Sequence, residues 1–522
     1  MTTRLLQLTR PHYRLLSLPL QKPFNIKRQM SAANPSPFGN YLNTITKSLQ
    51  QNLQTCFHFQ ANEIDIIESP SQFYDLLKTK ILNSQNRIFI ASLYLGKSET
   101  ELVDCISQAL TKNPKLKVSF LLDGLRGTRE LPSACSATLL SSLVAKYGSE
   151  RVDCRLYKTP AYHGWKKVLV PKRFNEGLGL QHMKIYGFDN EVILSGANLS
   201  NDYFTNRQDR YYLFKSRNFS NYYFKLHQLI SSFSYQIIKP MVDGSINIIW
   251  PDSNPTVEPT KNKRLFLRET SQLLDGFLKS SKQKSLPITA VGQFSTLVYP
   301  ISQFTPLFPK YNDKSTEKRT ILSLLSTITS NAISWTFTAG YFNILPDIKA
   351  KLLATPVAEA NVITASPFAN GFYQSKGVSS NLPGAYLYLS KKFLQDVCRY
   401  RQDHAITLRE WQRGVVNKPN GWSYHAKGIW LSARDKNDAN NWKPFITVIG
   451  SSNYTRRAYS LDLESNALII TRDEELRKKM KAELDNLLQY TKPVTLEDFQ
   501  SDPERHVGTG VKIATSILGK KL

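Results

Sequence analysis

Two triplets, His182-Met183-Lys184 and His425-Ala426-Lys427, place an ammonium two residues after an imidazole. Of the 8 histidines in the chain, only these two head a His-x-Lys. Asn198 follows the first triplet and Asn453 the second. An acid stands at the same distance beyond each asparagine, Asp209 in one case and Glu464 in the other. These residue types suit phosphoryl transfer. A phosphodiester resists attack because its oxygens carry charge. A neutral imidazole attacks phosphorus and also protonates a leaving oxygen. Lysine ammonium groups and asparagine amides offset the charge on oxygen, and an acid behind each imidazole fixes its tautomer. Two copies imply one site built from both: one histidine forms a phospho-histidine and the other protonates the departing oxygen. Reversed roles then deliver the phosphoryl group to an alcohol or to water. The scheme requires no metal, because the lysines balance the charge, and no carboxylate cluster suited to Mg²⁺ is evident.

The elements that must position these residues repeat too. Residues 87–94 and 335–342 read as buried strands, and a second strand follows each, at 117–122 and 362–365. Each strand keeps nearly the same distance to its own histidine. Turn-rich loops containing Gly and a base come next, at 123–129 and 369–376. Strands over 183–188 and 426–431 present the triplets. Strands over 191–194 and 445–449 return beside them and end in the turns that hold the asparagines. Helical spacing is predicted at 70–82, 98–110, 321–328, 391–401 and 472–490. The matched offsets predict an α/β protein of two duplicated domains sharing one active-site cleft. The expected divisions are a transit peptide and basic leader at 1–60, a first half at 61–243 and a Pro-rich linker at 244–285. A second half at 286–490 and a tail at 491–522 complete them. Residues 432–443 read as a surface hairpin insertion.

These residues resemble the phospholipase D superfamily, whose signature is H-x-K-x4-D followed by G-S-x-N. The first copy has His182, Lys184 and Asp189 in register, but Ser195-Gly196-Ala197-Asn198 displaces the serine. The second has His425, Lys427 and Gly450-Ser451-Ser452-Asn453, with Ser432 in place of the acid. Retention of Asp189 favours His182 as the nucleophile. Closer similarity is to the eukaryotic phosphatidylglycerophosphate synthases of that superfamily. It is carried by Gln181 and the residues up to Gly187, by 195–211, by 365–373 and by 422–428, and it extends over about residues 60–490. The resemblance implies two phospholipase D-type α/β domains. It also implies transfer of a phosphatidyl group from CDP-diacylglycerol to sn-glycerol 3-phosphate with release of CMP, in mitochondria, as a matrix-facing step at the inner membrane. Catalytic roles fall on His182, Lys184, Asp189, His425 and Lys427, supported by Asn198, Asn453, Asp209 and Glu464. Arg207 and Arg456, each close behind a catalytic turn, are the candidates for the acceptor's own phosphate.

The rest of the chain bounds this reading. The formal charge of +27 requires an anionic partner, here the substrates and an anionic mitochondrial membrane surface. No acid precedes Glu63, whereas Arg4, Arg10 and Arg14 do, as in a mitochondrial transit peptide. No window of about 18 apolar residues exists, so membrane binding is expected to be peripheral. The five cysteines have no CxxC or metal-ligand spacing and are expected as buried free thiols. Ala91 to Ser98, with Gly96 and Lys97, fits a loose P-loop pattern. Its intervening residues belong to the strand itself, and the repeat lacks Gly-Lys-Ser, which counts against ATP. The rivals are a superfamily phosphodiesterase acting on nucleic acid, and a cardiolipin or phosphatidylserine synthase. No recognisable DNA-binding module favours the first, so no nucleic acid is expected as partner.

Overall fold

The computed structural model describes residues 37–164, 169–171, 175–281, 295–434 and 442–519. Residues up to Asn43 separate from the body formed by Thr44–Leu522. Of the former, only the start of the helix Pro37–Asn52 is described. The transit-like start and the tip of the expected hairpin insertion, 435–441, lie outside the described residues.

In the body, the runs predicted as buried strands lie at the centres of two nine-stranded sheets. The first contains a parallel trio, Arg87–Ser92, Lys117–Asp123 and Val152–Tyr157. Beside it runs an antiparallel meander of Ile185–Phe188, Glu191–Ser195 and Tyr211–Lys215. The second repeats this plan. Its trio is Ile333–Ala339, Ala360–Ala365 and Ile406–Trp411. Its meander is Lys427–Arg434, Trp442–Gly450 and Glu464–Thr471. Parallel neighbours need crossovers, and helices supply them: Thr100–Lys112 and Ser136–Tyr147 in the first half, Pro346–Leu353 and Leu382–Arg399 in the second. The two inner strands of each trio are buried along most of their length, while the outer strand of each, Val152–Tyr157 and Ile406–Trp411, begins by alternating buried and half-buried residues.

One apolar cluster lies within the first half. A second takes Met183, Leu194 and Tyr212 from the first half and Ile449, Leu463 and Ala467 from the second. A fully buried apolar side chain contributes about 1.5–3 kcal/mol, so a shared cluster of this size holds the halves together.

The structure moves several expected boundaries. Within the supposed leader, Phe57–Phe59 pairs with Thr296–Gln303 and is an edge strand of the second sheet. Within the supposed linker, Asn247–Ile249 joins the first sheet, and Lys263–Ser280 is a helix. The prolines punctuate only the loop before it. Asn262 then caps the helix by accepting from the Leu265 N–H, and Phe266, Leu274 and Phe277 are buried. Within the supposed tail, Thr491–Val494 pairs with Ile406–Trp411, and Thr509–Leu518 is a helix. Cys398 is exposed, unlike Cys105, Cys135 and Cys154.

Candidate active site

Backbone pairing between the halves sets the site. The His182 N–H donates to Leu463 O (2.9 Å), and the His425 N–H donates to Gln208 O (2.8 Å). Leu463 precedes Glu464 and Gln208 precedes Asp209, so each histidine is delivered to the acid of the opposite half. Nδ1 of His182 lies 2.9 Å from Glu464 Oε1, and Nδ1 of His425 lies 2.6 Å from Asp209 Oδ2. A short parallel pairing of Ser423–Tyr424 with Arg207–Gln208 reinforces the second crossing. Both carboxylates are fully buried. A carboxylate facing Nδ1 favours the tautomer that carries the proton there, which leaves Nε2 as the basic nitrogen; Lys427 Nζ also lies 2.7 Å from His425 Nδ1.

The surroundings differ in detail. Tyr203 receives a hydrogen bond from Asn198 Nδ2 (3.0 Å), and its hydroxyl lies 3.3 Å from His425 Nε2. Among the described residues, no hydrogen bond engages Nε2 of His182. That histidine is also the more exposed, 9% against 3%. Burial, reinforced by the neighbouring lysines, holds both imidazoles well below their usual pKa. They are therefore neutral at working pH, as attack on phosphorus demands. Burial raises the Glu464 and Asp209 carboxyls and lowers the Lys184 and Lys427 ammonium groups. Both lysines lie beneath the histidines: Lys184 Nζ donates to His182 O (2.7 Å) and Lys427 Nζ to His425 O (3.0 Å).

The turns explain the unequal motifs. Ser451 donates to Glu464. Its counterpart is Gly196, where a Cβ would lie 2.5 Å from Asp209 Oδ1 and 2.7 Å from Lys427 Nζ. A serine there would have to push aside the Asp209 carboxylate and the Lys427 ammonium, and Ser195 instead donates to Arg210 O (2.7 Å).

Above the histidines opens a cavity of about 380 Å³, with His182, His425, Asn198 and Asn453 on its wall. Four arginines also line it, Arg126, Arg129, Arg207 and Arg457, against two carboxylates, Glu176 and Asp462. This excess of positive charge suits a substrate with more than one phosphate. Arg207 is held by Asp202 (2.6 Å) and donates to Ser423 Oγ (3.0 Å). Arg457 is held by Asp462 (2.9 Å) and donates to Glu176 O (2.8 Å).

Three sequence expectations require correction. Asp189 is not in the site. It occupies the turn between two strands with φ 49°, and its carboxylate accepts from the backbone N–H groups of Gln85, Asn86 and Arg87. Arg456 is exposed, and its neighbour Arg457 faces the cavity. The segment from Ala91 to Ser98 forms no phosphate cradle. Ala91 is buried within its strand, the Gly96 N–H is bound to Leu199 O (2.7 Å), and a carboxylate, Glu99, stands where the following helix begins. Gly96, Lys97 and Ser98 instead line a side cavity of about 410 Å³ that shares Tyr94 and Arg126 with the main one.

Sequence reasoning missed Tyr203 and Asp123. Asp123 is fully buried. It accepts from the N–H groups of Leu125 and Arg126 and from that of Gln181, next to His182. Its only signal was its place at the end of a strand that runs towards the cleft.

No family model matches the sequence. The chain is 99% identical over 522 residues, 100% of both chains, to a Saccharomyces cerevisiae protein named CDP-diacylglycerol–glycerol-3-phosphate 3-phosphatidyltransferase. It is 34% identical over 494 residues to the human protein of that name, described as mitochondrial, covering 90% of this chain and 84% of the human one. Among solved structures it resembles the phosphatidylserine synthase of Haemophilus influenzae, with TM-score 0.63 and 19% identity over 92% of this chain and 98% of that one. The last likeness shows a shared fold.

Proposed function

The chain belongs to the CDP-diacylglycerol–glycerol-3-phosphate 3-phosphatidyltransferases, enzymes that transfer the phosphatidyl group of CDP-diacylglycerol to sn-glycerol 3-phosphate and release CMP, and we propose that it acts through a phospho-histidine on His182. The observation that carries the proposal is the crossed pairing of each histidine with the acid of the other half. Its open Nε2, and no longer Asp189, marks His182 as the nucleophile. Nε2 attacks the phosphorus that bears diacylglycerol, and the bond from that phosphorus to the CMP oxygen breaks. CMP leaves as a weakly basic phosphate, so His425 need contribute little acid. Glycerol 3-phosphate then enters from the side that CMP vacated. His425 Nε2 takes its hydroxyl proton as the new P–O bond forms and the P–N bond to His182 breaks. The proton passes to water and both imidazoles return neutral. Lys184, Lys427, Asn198 and Asn453 offset the charge on the phosphoryl oxygens, so no metal enters the scheme.

The acceptor's own phosphate is assigned to Arg207 and Arg457. Each is already aligned by a carboxylate, which keeps the guanidinium in place for a bidentate contact. The enzyme is placed in mitochondria, on the matrix side of the inner membrane and bound peripherally. The basic, acid-free start and the charge of +27 support this. Among the described residues no helix is long and apolar enough to cross a membrane.

An acceptor screen tests the reading. Purified protein receives labelled CDP-diacylglycerol with glycerol 3-phosphate, serine, phosphatidylglycerol or water. Phosphatidylglycerophosphate is expected with the first alone, together with an acid-labile label on His182 when acceptor is omitted. CMP release at the full rate without acceptor overturns the transferase reading, and label on His425 reverses the two roles.

A further inference from the structure

The C-terminal helix Thr509–Leu518 leaves two large apolar side chains in the open, one turn apart: Ile513 is 57% exposed and Ile517 is 69% exposed. Single exposed apolar residues are ordinary. This pair is distinguished by its place. The helix packs against Leu382–Arg399, where Val507 and Val511 lie next to Gly384: a Cβ there would meet them at ordinary contact distance, 4.0 Å from one and 3.6 Å from the other. Leu382 and Tyr386 of that supporting helix line the reaction cavity. The far end is tied down as well, since Asn343 Nδ2 donates to Gly519 O (2.7 Å), and Tyr341, two residues earlier, also lines the cavity. The helix thus rides on the rim of the active site. Bases accompany the isoleucines: Lys392 lies over the Tyr388 ring at 4.7 Å, and Lys512 is close to the same tyrosine.

We infer that the Ile513–Ile517 face of this helix seats on an anionic bilayer and holds the mouth of the cavity against the lipid. Two isoleucines sink into the acyl boundary while Lys512 and Lys392 meet lipid phosphates, the division of labour of an interfacial helix. CDP-diacylglycerol then reaches the histidines without its acyl chains crossing water. The inference rests on the lipid substrate assigned above and on peripheral binding.

The test uses the full chain and its I513D/I517D variant, sedimented with phosphatidylcholine–phosphatidylglycerol vesicles. Turnover is measured in parallel on short-chain CDP-diacylglycerol dispersed without a bilayer. The variant should bind vesicles at least about tenfold more weakly and keep wild-type turnover on the dispersed substrate. An I513S/I517S variant serves in the same two assays if the aspartates impair folding. Equal vesicle binding by wild type and variant overturns the docking face. Vesicle binding by neither overturns peripheral association itself and leaves the transferase reading to stand on the acceptor screen. Loss of a dimer in light scattering, with vesicle binding unchanged, would assign the face to a second copy of the chain.

Discussion

Because each acid serves the opposite histidine, lesions should pair by contact and not by position along the chain. Asp209→Asn removes the carboxylate charge that faces His425 Nδ1 and puts an amide, able to donate as well as accept, in its place, so it should slow transfer to glycerol 3-phosphate by about 10²–10⁴-fold and let phospho-enzyme accumulate. Glu464→Gln should instead slow formation of the phospho-enzyme. Single-turnover trapping with labelled CDP-diacylglycerol separates the two. The arginines give a second contrast: Arg457→Gln should raise KM for glycerol 3-phosphate about tenfold or more with a smaller effect on CDP-diacylglycerol, while Arg456→Gln leaves both within about twofold. Equal effects of Arg457→Gln on the two substrates would remove it from the acceptor's phosphate. A pH effect belongs to Glu317, which is fully buried against Ser452, Tyr459 and Asn466, behind the turn of Asn453. Burial pushes its carboxyl from 4.5 up to about 8. The raised value means stability that is full below pH 4.5 and lost as pH rises to about 8. Urea unfolding across that range should show the fall in wild type, and a smaller fall in Glu317→Gln.

The turns that present these side chains leave little room. Gly196→Ala would drive a methyl into Asp209 and Lys427; a loss of about 1–3 kcal/mol in stability, with activity falling alongside, is expected from denaturant unfolding and turnover. The long elements were legible from the sequence because periodicity and chemistry repeat together: Arg87–Ser92 and Ile333–Ala339 are buried runs at matching distances from His182 and His425. The short ones were not. Phe57–Phe59, Asn247–Ile249 and Thr491–Val494 have too few residues to display a pattern. Asp189 matched the motif spacing, but an acid at a left-handed turn position has a local role available to it, binding backbone N–H groups. Nor could spacing choose between Arg456 and Arg457, since residues 455–462 run through irregular turns after Tyr454 at φ 57°. The crossing of the acids was hidden for a related reason. Chain order places each acid nearest its own histidine, and only backbone pairing between the halves shows otherwise.

At the scale of the molecule, the shared apolar cluster couples the two sheets. Leu463→Ala removes a buried side chain from it. It should cost about 2–5 kcal/mol and lower one common melting transition; a separate early transition for one half would contradict the coupling, and calorimetry distinguishes the two. The strand Phe57–Phe59 carries a consequence for how the chain is made. Its partner, Thr296–Gln303, leaves the ribosome about 240 residues later, so a long loop must close before the pair can form. The amino-terminal segment is thus born early and placed late. Until that partner is in place it stays an uncommitted strand with unpaired backbone groups.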